Sequence, residues 1–425
     1  MRVCLLGLGY VGLPTAVVLA NNGMCVHGVD TNSFLIKKIN DGTFTSTEPD
    51  LDLSVLSAVK SGNLEVSQVP VSAEVFIVAV PTPVLSDNSG ADLSAVKKAC
   101  KSLSKYLKPG NLIILESTVP VGTIDLMAEW ISGVRGDLTF SNTNNKTKNS
   151  NRIYLAHCPE RVFPGKIMRE LIENDRTVGG IDIQSAQRAS DFYSTFVKGR
   201  ITLTNARTAE LSKLVENAYR DVNIAFANEI SLICDDLNVN VWDLIDLVNQ
   251  HPRVNVLSPG AGVGGHCVAV DPWFIVASSP ARSKLVRTSR EVNDFKPNYV
   301  IQSIKSIAEN RGKLVIGCLG ITFKRDVEDV RGSPALHIVE TLAKDPNYEI
   351  LVVEPNLMEL PGSLSQFENI KLVSLPQALK EAQLLALLVN HQDFYSIDQR
   401  HLVGKSIIDT CGVWRDTSAA SLRTK

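Results

Sequence analysis

No strong charge of either sign runs through this chain. Its 43 Lys and Arg nearly balance its 45 Asp and Glu, for a formal charge of -2. That leaves no electrostatic footprint for nucleic acid or an acidic membrane surface. No apolar stretch reaches the roughly 18 residues that a membrane helix needs. The apolar start, MRVCLLGLGYVG, is broken by Gly7, Gly9 and Gly12, and no small-residue cleavage site follows a basic region, so no signal peptide is expected. None of the eight cysteines stands in a C-x-x-C pair, which argues against a zinc site or a thioredoxin motif. No metal is expected. Without a secretion signal, the cysteines read as reduced thiols in a cytosolic protein. What remains is a chain of 425 residues, 44% apolar and 21% charged, with a globular composition and too long for one core.

Short apolar runs alternate with helical stretches. RVCLL (2–6) ends in glycines, a helix-like stretch follows (13–22), and MCVHGVD ends a second strand at Asp30. EVFIVAVPTP (74–83) and NLIILESTVP (111–120) are two more strands. SNTNNKTKNSN (141–151) is a polar, low-complexity loop that holds the sequon Asn145-Lys146-Thr147, which matters only in a secreted protein. From Thr208 to Leu237 the period turns helical with no Gly or Pro, longer than an ordinary crossover helix. After Pro297 the alternation resumes with KLVIGCLG, YEILVVEP, LLALLV and KSIIDT. The pattern predicts an α/β protein: two Rossmann-like doubly wound domains joined by a long central helix and a helical middle domain.

Gly7-Leu8-Gly9-Tyr10-Val11-Gly12 is G-x-G-x-x-G between a strand and a helix. In that setting the first glycine allows the tight turn, the second the approach of a pyrophosphate, and the third close helix packing. Asp30 stands eighteen residues after Gly12. A carboxylate there accepts from a ribose 2′-OH and repels a 2′-phosphate, so the expected cofactor is NAD. Thr82 and Thr118 fall at strand carboxyl ends, the crevice side of such a sheet, where they face a ligand or satisfy a turn. Lys213, Asn217 and Arg220 share one helical face, either a solvated stripe or one wall of a cleft. In GVGGHC, glycines precede His266 and Cys267, and Asp271 follows. A nucleophilic cysteine needs exposure and close substrate approach. Adjacency in sequence does not make His266 its base.

Taken in order, GLGYVGLPTA, VPTP, ESTVPVGT, CPERVFPG, KLVENAYRDVNIAFANE, GVGGHCVAVDPWF, GITFKRDVEDVRGSPA and DTCGVWR resemble the UDP-glucose/GDP-mannose dehydrogenase family over nearly the whole chain. HPRVNV and GGHCVAVDPWFIVA resemble its acetamido-sugar branch. The resemblance implies an NAD-binding domain over 1–205, a central dimerisation and catalytic domain over 206–300 and a UDP-sugar-binding domain over 301–425. It implies four-electron oxidation of a sugar C6 alcohol to a carboxylate with two NAD+, with Cys267 carrying the intermediate. It assigns Lys213 as acid/base, Asn217 as its amide partner, Asp271 and Glu160 to water handling and proton transfer, and Thr118 to the nicotinamide and a catalytic water. Gly7, Gly9, Tyr10, Val11, Gly12, Asp30, Thr82 and Arg331 fall to the cofactor. Arg161, Val162, Arg220, His251, Arg253, Gly264, Lys324 and Arg415 fall to the UDP-sugar, with Arg253 reaching the neighbouring subunit's site in a homodimer. Two positions depart from UDP-glucose dehydrogenases: Val270 and Leu35 stand where those enzymes carry cations. No nucleic-acid or membrane partner is expected.

Overall fold

The computed structural model describes residues 1–46, 48–85, 90–140, 150–163, 165–308 and 312–415. The sequon at Asn145 lies outside them. Tertiary contacts divide the chain into two units. One comprises Met1–Glu216 with Trp273–Ser279, the other Asn217–Pro272 with the chain from Pro280 onward.

The first unit is built on eight strands: β1 (Arg2–Leu6), β2 (Cys25–Val29), β3 (Leu64–Ser67), β4 (Val75–Val78), β5 (Leu112–Leu115), β6 (Tyr154–His157), β7 (Arg176–Gly180) and β8 (Ile201–Asn205). Their order is β3-β2-β1-β4-β5-β6-β7-β8. The central strands read as unbroken apolar runs because helices cover both faces. Val3 and Leu5 enter one core, while Cys4 and Leu6 enter the other, as the two-residue strand period requires. Burial pushes the Cys4 thiol up to about 11, so it behaves as a small hydrophobe. The sheet is not wholly parallel, as the alternation had led us to expect: β6 and β7 pair antiparallel. Among the described residues the only helix between them is Ile167–Glu173, which rises about 10 Å. That is too short to carry the chain back across the sheet.

The second unit repeats the plan with β9 (Leu314–Leu319), β10 (Tyr348–Val353), β11 (Ile370–Leu372), β12 (Leu384–Leu387) and β13 (Ser406–Asp409). The order β11-β10-β9-β12-β13 is parallel throughout. It matches the β3-β2-β1-β4-β5 half of the first sheet, so each unit has a switch point where the strand order reverses, beside β1 and beside β9.

The long helix, Ala206–Asp236, runs unbroken for 31 residues. A second, Lys284–Ala308, continues through Pro297. An interior proline costs about 3 kcal/mol. Tertiary contacts on both sides offset it. Before Pro297, buried Arg290 pairs with buried Asp221 at 2.6 Å, and Asn293 donates to Asp221 at 2.8 Å. After it, Val300, Ile301 and Ile304 are buried in the core of the second sheet. Among the described residues no helix is long and apolar enough to cross a membrane.

Candidate active site

The turn after β1 is shaped by three glycines with three different surroundings. Gly7 adopts φ +97°, and a Cβ there would stand 2.4 Å from the Ala79 carbonyl oxygen. A Cβ on Gly12 would stand 1.8 Å from the Gly7 carbonyl oxygen. Gly9 is exposed, with no protein atom within 4 Å of an added Cβ. Gly7 and Gly12 therefore close the turn onto the helix Gly12–Asn21, and Gly9 leaves room for a pyrophosphate at that helix N-terminus. Tyr10 and Val11 lead into the helix. Asp30, just past β2, accepts from Leu8 N–H and Asn32 N–H, each at 2.8 Å. Its carboxylate is thereby aimed over the turn. These residues fit a dinucleotide. Gly9→Ala is expected to leave thermal stability nearly unchanged and to cut NAD+ affinity by about tenfold or more, whereas Gly12→Ala loses both. Calorimetric titration beside a melting curve separates the two.

At the carboxyl ends of β4 and β5, Thr82 Oγ1 donates to the Thr118 carbonyl at 2.6 Å. Ser117 Oγ donates to the Val80 carbonyl at 2.7 Å. Thr82 thus positions the Thr118 backbone, which the sequence did not reveal. Past β6, Glu160 Oε1 is out of reach of solvent and has no hydrogen-bond partner among the described residues. Burial raises the Glu160 pKa to about 7, against the opposing pull of the Lys213 ammonium. That value suits a group that must both take and give a proton near neutrality. Arg161 pairs with Glu216 on the long helix at 2.5 Å, so this loop is tied to the helix one turn after Lys213. Val162 packs against the core beneath the glycine turn.

A raised acid destabilises the fold once it ionises. For Glu160, stability is fully present below the ordinary value of 4.5 and is lost as pH rises through about 7. Glu160→Gln is expected to raise the melting temperature above pH 8 and to leave it almost unchanged at pH 4.5. Equal shifts at both pH values would show that the carboxyl does not titrate in that window.

In the second unit, the Asn217 side-chain amide donates to buried Asp271 at 2.5 Å. Asp271 opens the helix Asp271–Ser278. In the turn before it, the Cys267 carbonyl accepts from the amides of Val270 and Asp271 at 3.0 and 2.9 Å. Cys267 is exposed and forms no disulfide. Five of the other cysteines are buried, but Cys25 is exposed as well, despite its place in an apolar run. The glycines before Cys267 also serve the packing of their own loop. A Cβ on Gly264 would stand 2.4 Å from the Gly332 carbonyl oxygen, and one on Gly265 would stand 2.8 Å from the Phe323 ring. They let the cysteine loop press against the loop after β9. His266 sits edge-on to Phe323 at 6.4 Å, and its pKa is lowered by burial and then by the Arg331 cation.

That same unit carries a half-open cavity of about 620 Å³, lined by Lys324, Arg325, Trp242, Tyr395, Asn390 and Arg415 among others. Its cations and aromatic rings suit a nucleoside diphosphate. Burial, and then the Arg220 cation, lower the Lys324 pKa. Arg415 reaches Asp246 at 3.1 Å. His251 and Arg253 are exposed in the turn after the helix Val241–Val248. Arg331 is exposed and pairs with Asp329 of its own loop at 2.7 Å.

Three functional residues escaped the sequence reading. Buried Glu48 accepts from Gly165 N–H and Ile167 N–H at 2.7 and 2.6 Å, anchoring the loop that carries Glu160 and Arg161. Buried Glu210 caps the helix Thr123–Ser132 through the Gly122 and Ile124 amides at 2.6 and 2.8 Å. Glu354, just past β10, holds the Ile321 amide at 2.8 Å. Only the last had a signal, an acid after the second strand of its sheet, as Asp30 is in the first.

Three family models match the chain. The NAD binding domain of the UDP-glucose/GDP-mannose dehydrogenase family spans residues 1–197, the central domain 207–295 and the UDP binding domain 317–416. A UDP-N-acetyl-D-mannosamine dehydrogenase of Campylobacter jejuni is 50% identical over 402 residues, covering 95% of this chain and 98% of its own. An NDP-N-acetyl-D-galactosaminuronic acid dehydrogenase of Ralstonia nicotianae is 47% identical over 412 residues, covering 97% and 96%. The solved UDP-N-acetyl-mannosamine dehydrogenase of Staphylococcus aureus superposes with a TM-score of 0.83 at 40% identity, covering 97% of this chain and 95% of that one. With its glycine turn, its paired switch points and its exposed cysteine, the chain belongs to the UDP-glucose/GDP-mannose dehydrogenase family.

Proposed function

We propose that this NAD-dependent enzyme oxidises the C6 hydroxyl of UDP-N-acetyl-D-mannosamine to the carboxylate, giving UDP-N-acetyl-D-mannosaminuronate for polysaccharide synthesis in the cytosol. The observation that carries the chemistry is the exposed Cys267 one turn before Asp271, which Asn217 holds. The choice of sugar rests on the names of the relatives and on the departures at Val270 and Leu35. NAD+, when bound, would accept one hydride in each of two oxidations, so two NAD+ are used per sugar. Between them the Cys267 thiolate adds to the C6 aldehyde, and the resulting oxyanion, steadied by Lys213 and Asn217, takes up a proton. Loss of that proton and of the C6 hydride leaves a Cys267 thioester. Water placed by Thr118, Glu160 and Asp271 then attacks the acyl carbon. The C–S bond breaks, and carboxylate and thiol are released. The domain roles are cofactor binding over 1–205, dimerisation and catalysis over 206–300 and UDP-sugar binding over 301–425.

The test is NADH release across UDP-activated N-acetylmannosamine, N-acetylglucosamine and N-acetylgalactosamine, with products weighed. Two NADH per sugar and a gain of one oxygen with loss of two hydrogens are expected. One NADH per sugar sinks the four-electron reading. Faster turnover of the N-acetylgalactosamine sugar, which the Ralstonia relative's name favours, replaces the substrate but not the mechanism. So does faster turnover of the N-acetylglucosamine sugar.

The same reading includes a homodimer. Leu211, Val215, Tyr219, Phe226 and Ile233 are all exposed along the long helix. Their spacing draws one apolar stripe, which a second copy would cover. Arg253→Ala is expected to impair substrate use. Mixed dimers of Arg253→Ala with Lys213→Ala are expected to regain part of the activity if Arg253 serves the partner's site, and verified mixed dimers without rescue would remove that role.

A further inference from the structure

The two sheets share a device at their switch points. In the first, Gly7 N–H donates to Val29 O and Leu8 N–H to Asp30 Oδ2, both at 2.8 Å. In the second, Gly320 N–H donates to Val353 O and Ile321 N–H to Glu354 Oε2, again at 2.8 Å. The acids then diverge. Asp30 is half-exposed, whereas the Glu354 side chain is fully buried and meets His391 Nε2 at 3.1 Å. The second acid faces inward, toward a histidine, instead of outward toward a ribose.

His391 follows β12 and is 1% exposed. Its Nδ1 lies 3.0 Å from Asp326 N–H and 3.1 Å from the Asn356 amide nitrogen, both donors. Nδ1 must therefore accept, and Nε2 carries the proton toward Glu354. Thr322 Oγ1, 3.2 Å from Nε2, donates onward to the Lys324 carbonyl at 2.9 Å. Asp326 sits in the left-handed region at φ 55°, a conformation that Asp reaches more readily than most side-chain-bearing residues and that turns the chain sharply here. Gln392 N–H adds a bond to Asp326 Oδ1 at 2.9 Å. Between these anchors lie Lys324 and Arg325, both on the cavity wall.

We infer that His391 is a positioning residue for the nucleotide: by accepting the Asp326 amide it holds the left-handed turn at the end of the 321–326 loop and so fixes Lys324 and Arg325 for a diphosphate. Glu354, in turn, holds His391 in the one tautomer that can accept. The inference rests on the reading that the cavity takes the UDP moiety.

The two ring nitrogens have separate tasks, so two substitutions separate them in the full-length protein. His391→Gln places an amide near Nε2, keeping a donor for Glu354 and dropping the acceptor for Asp326. His391→Asn places an oxygen at Nδ1, keeping that acceptor and leaving Glu354 buried without its donor. UDP alone is the probe, by calorimetry, beside NAD+ affinity, melting temperature, KM and kcat. His391→Gln is expected to weaken UDP binding and raise sugar-nucleotide KM by about tenfold or more, as for a buried donor left unpaired, with kcat and NAD+ affinity nearly unchanged. His391→Asn is expected to melt lower yet bind UDP within about threefold of wild type. A purely structural histidine predicts the opposite, UDP affinity that follows melting temperature. Wild-type UDP affinity in His391→Gln, or equal losses in both variants, overturns the inference. A wild-type protein that binds no UDP overturns the reading of the cavity, and this inference with it, before any variant is made.

Discussion

Cys267→Ser is expected to abolish uronate formation, with turnover to the acid falling on the order of 10³-fold or more, while NAD+ affinity stays near wild type. The loss follows from the chemistry asked of the side chain. A thiolate forms near neutral pH, adds reversibly to an aldehyde and leaves readily from an acyl group, and a serine hydroxyl does none of these as well. The substitution removes one sulfur from an exposed position, so little packing is lost. The glycine turn and Asp30 belong to the other unit, which is why cofactor affinity should persist. Thiol alkylation offers an independent check, provided the adduct is mapped, because Cys25 is also exposed. Cys25→Ser should keep full activity and sensitivity to the reagent. An active Cys267→Ser variant would remove the covalent route.

Lys213→Ala is expected to lower kcat by about 10²–10³-fold, the range typical of a lost proton-transfer or oxyanion-stabilising group. It should also move the pH profile. The Lys213 cation is the largest influence holding Glu160 down against burial, and Glu160 stands at about 7 with that cation present. Without it the carboxyl protonates more readily, so the acid limb of kcat/KM shifts to higher pH. Lys213→Arg keeps the charge and should leave that limb in place even where activity is low. A limb that does not move in Lys213→Ala would mean that a group other than Glu160 sets it.

Residues whose role is local were legible. Gly7, Gly9 and Gly12 act within one turn, and the structure gives each the surroundings its place in the motif requires. The β1, β4 and β5 strands read as apolar runs because both of their faces are buried. The 206–236 helix showed as a long stretch free of Gly and Pro. Cys267 stood out because glycines and an acid surround it in a segment that no core strand claims.

Residues that act across long stretches of chain were not legible. Glu48 reaches a loop 117 residues away, and Glu210 caps a helix 88 residues before it. Neither lies in a pattern, because a carboxylate that receives backbone amides needs only to arrive at the right place. That the glycines at 264 and 265 stand against Gly332 and Phe323 was likewise visible only in the fold. That a helix runs unbroken through Pro297 was not legible either, because the buried Asp221–Arg290 pair that braces it joins residues far apart in the chain.

The sequence by itself determined the class of protein, the glycine turn after the first strand and the acid that follows the second, and it set Cys267 apart from the other cysteines. Each follows from short-range geometry: the room a missing Cβ leaves, the two-residue period of a strand, the chemistry of a thiol. The tertiary structure alone decided that one strand pair runs antiparallel, that burial brings Glu160 near neutrality, and that Glu354 turns inward to His391 while Asp30 stays open. Those outcomes depend on which groups lose water and which meet across the fold, and neither is written at any single position.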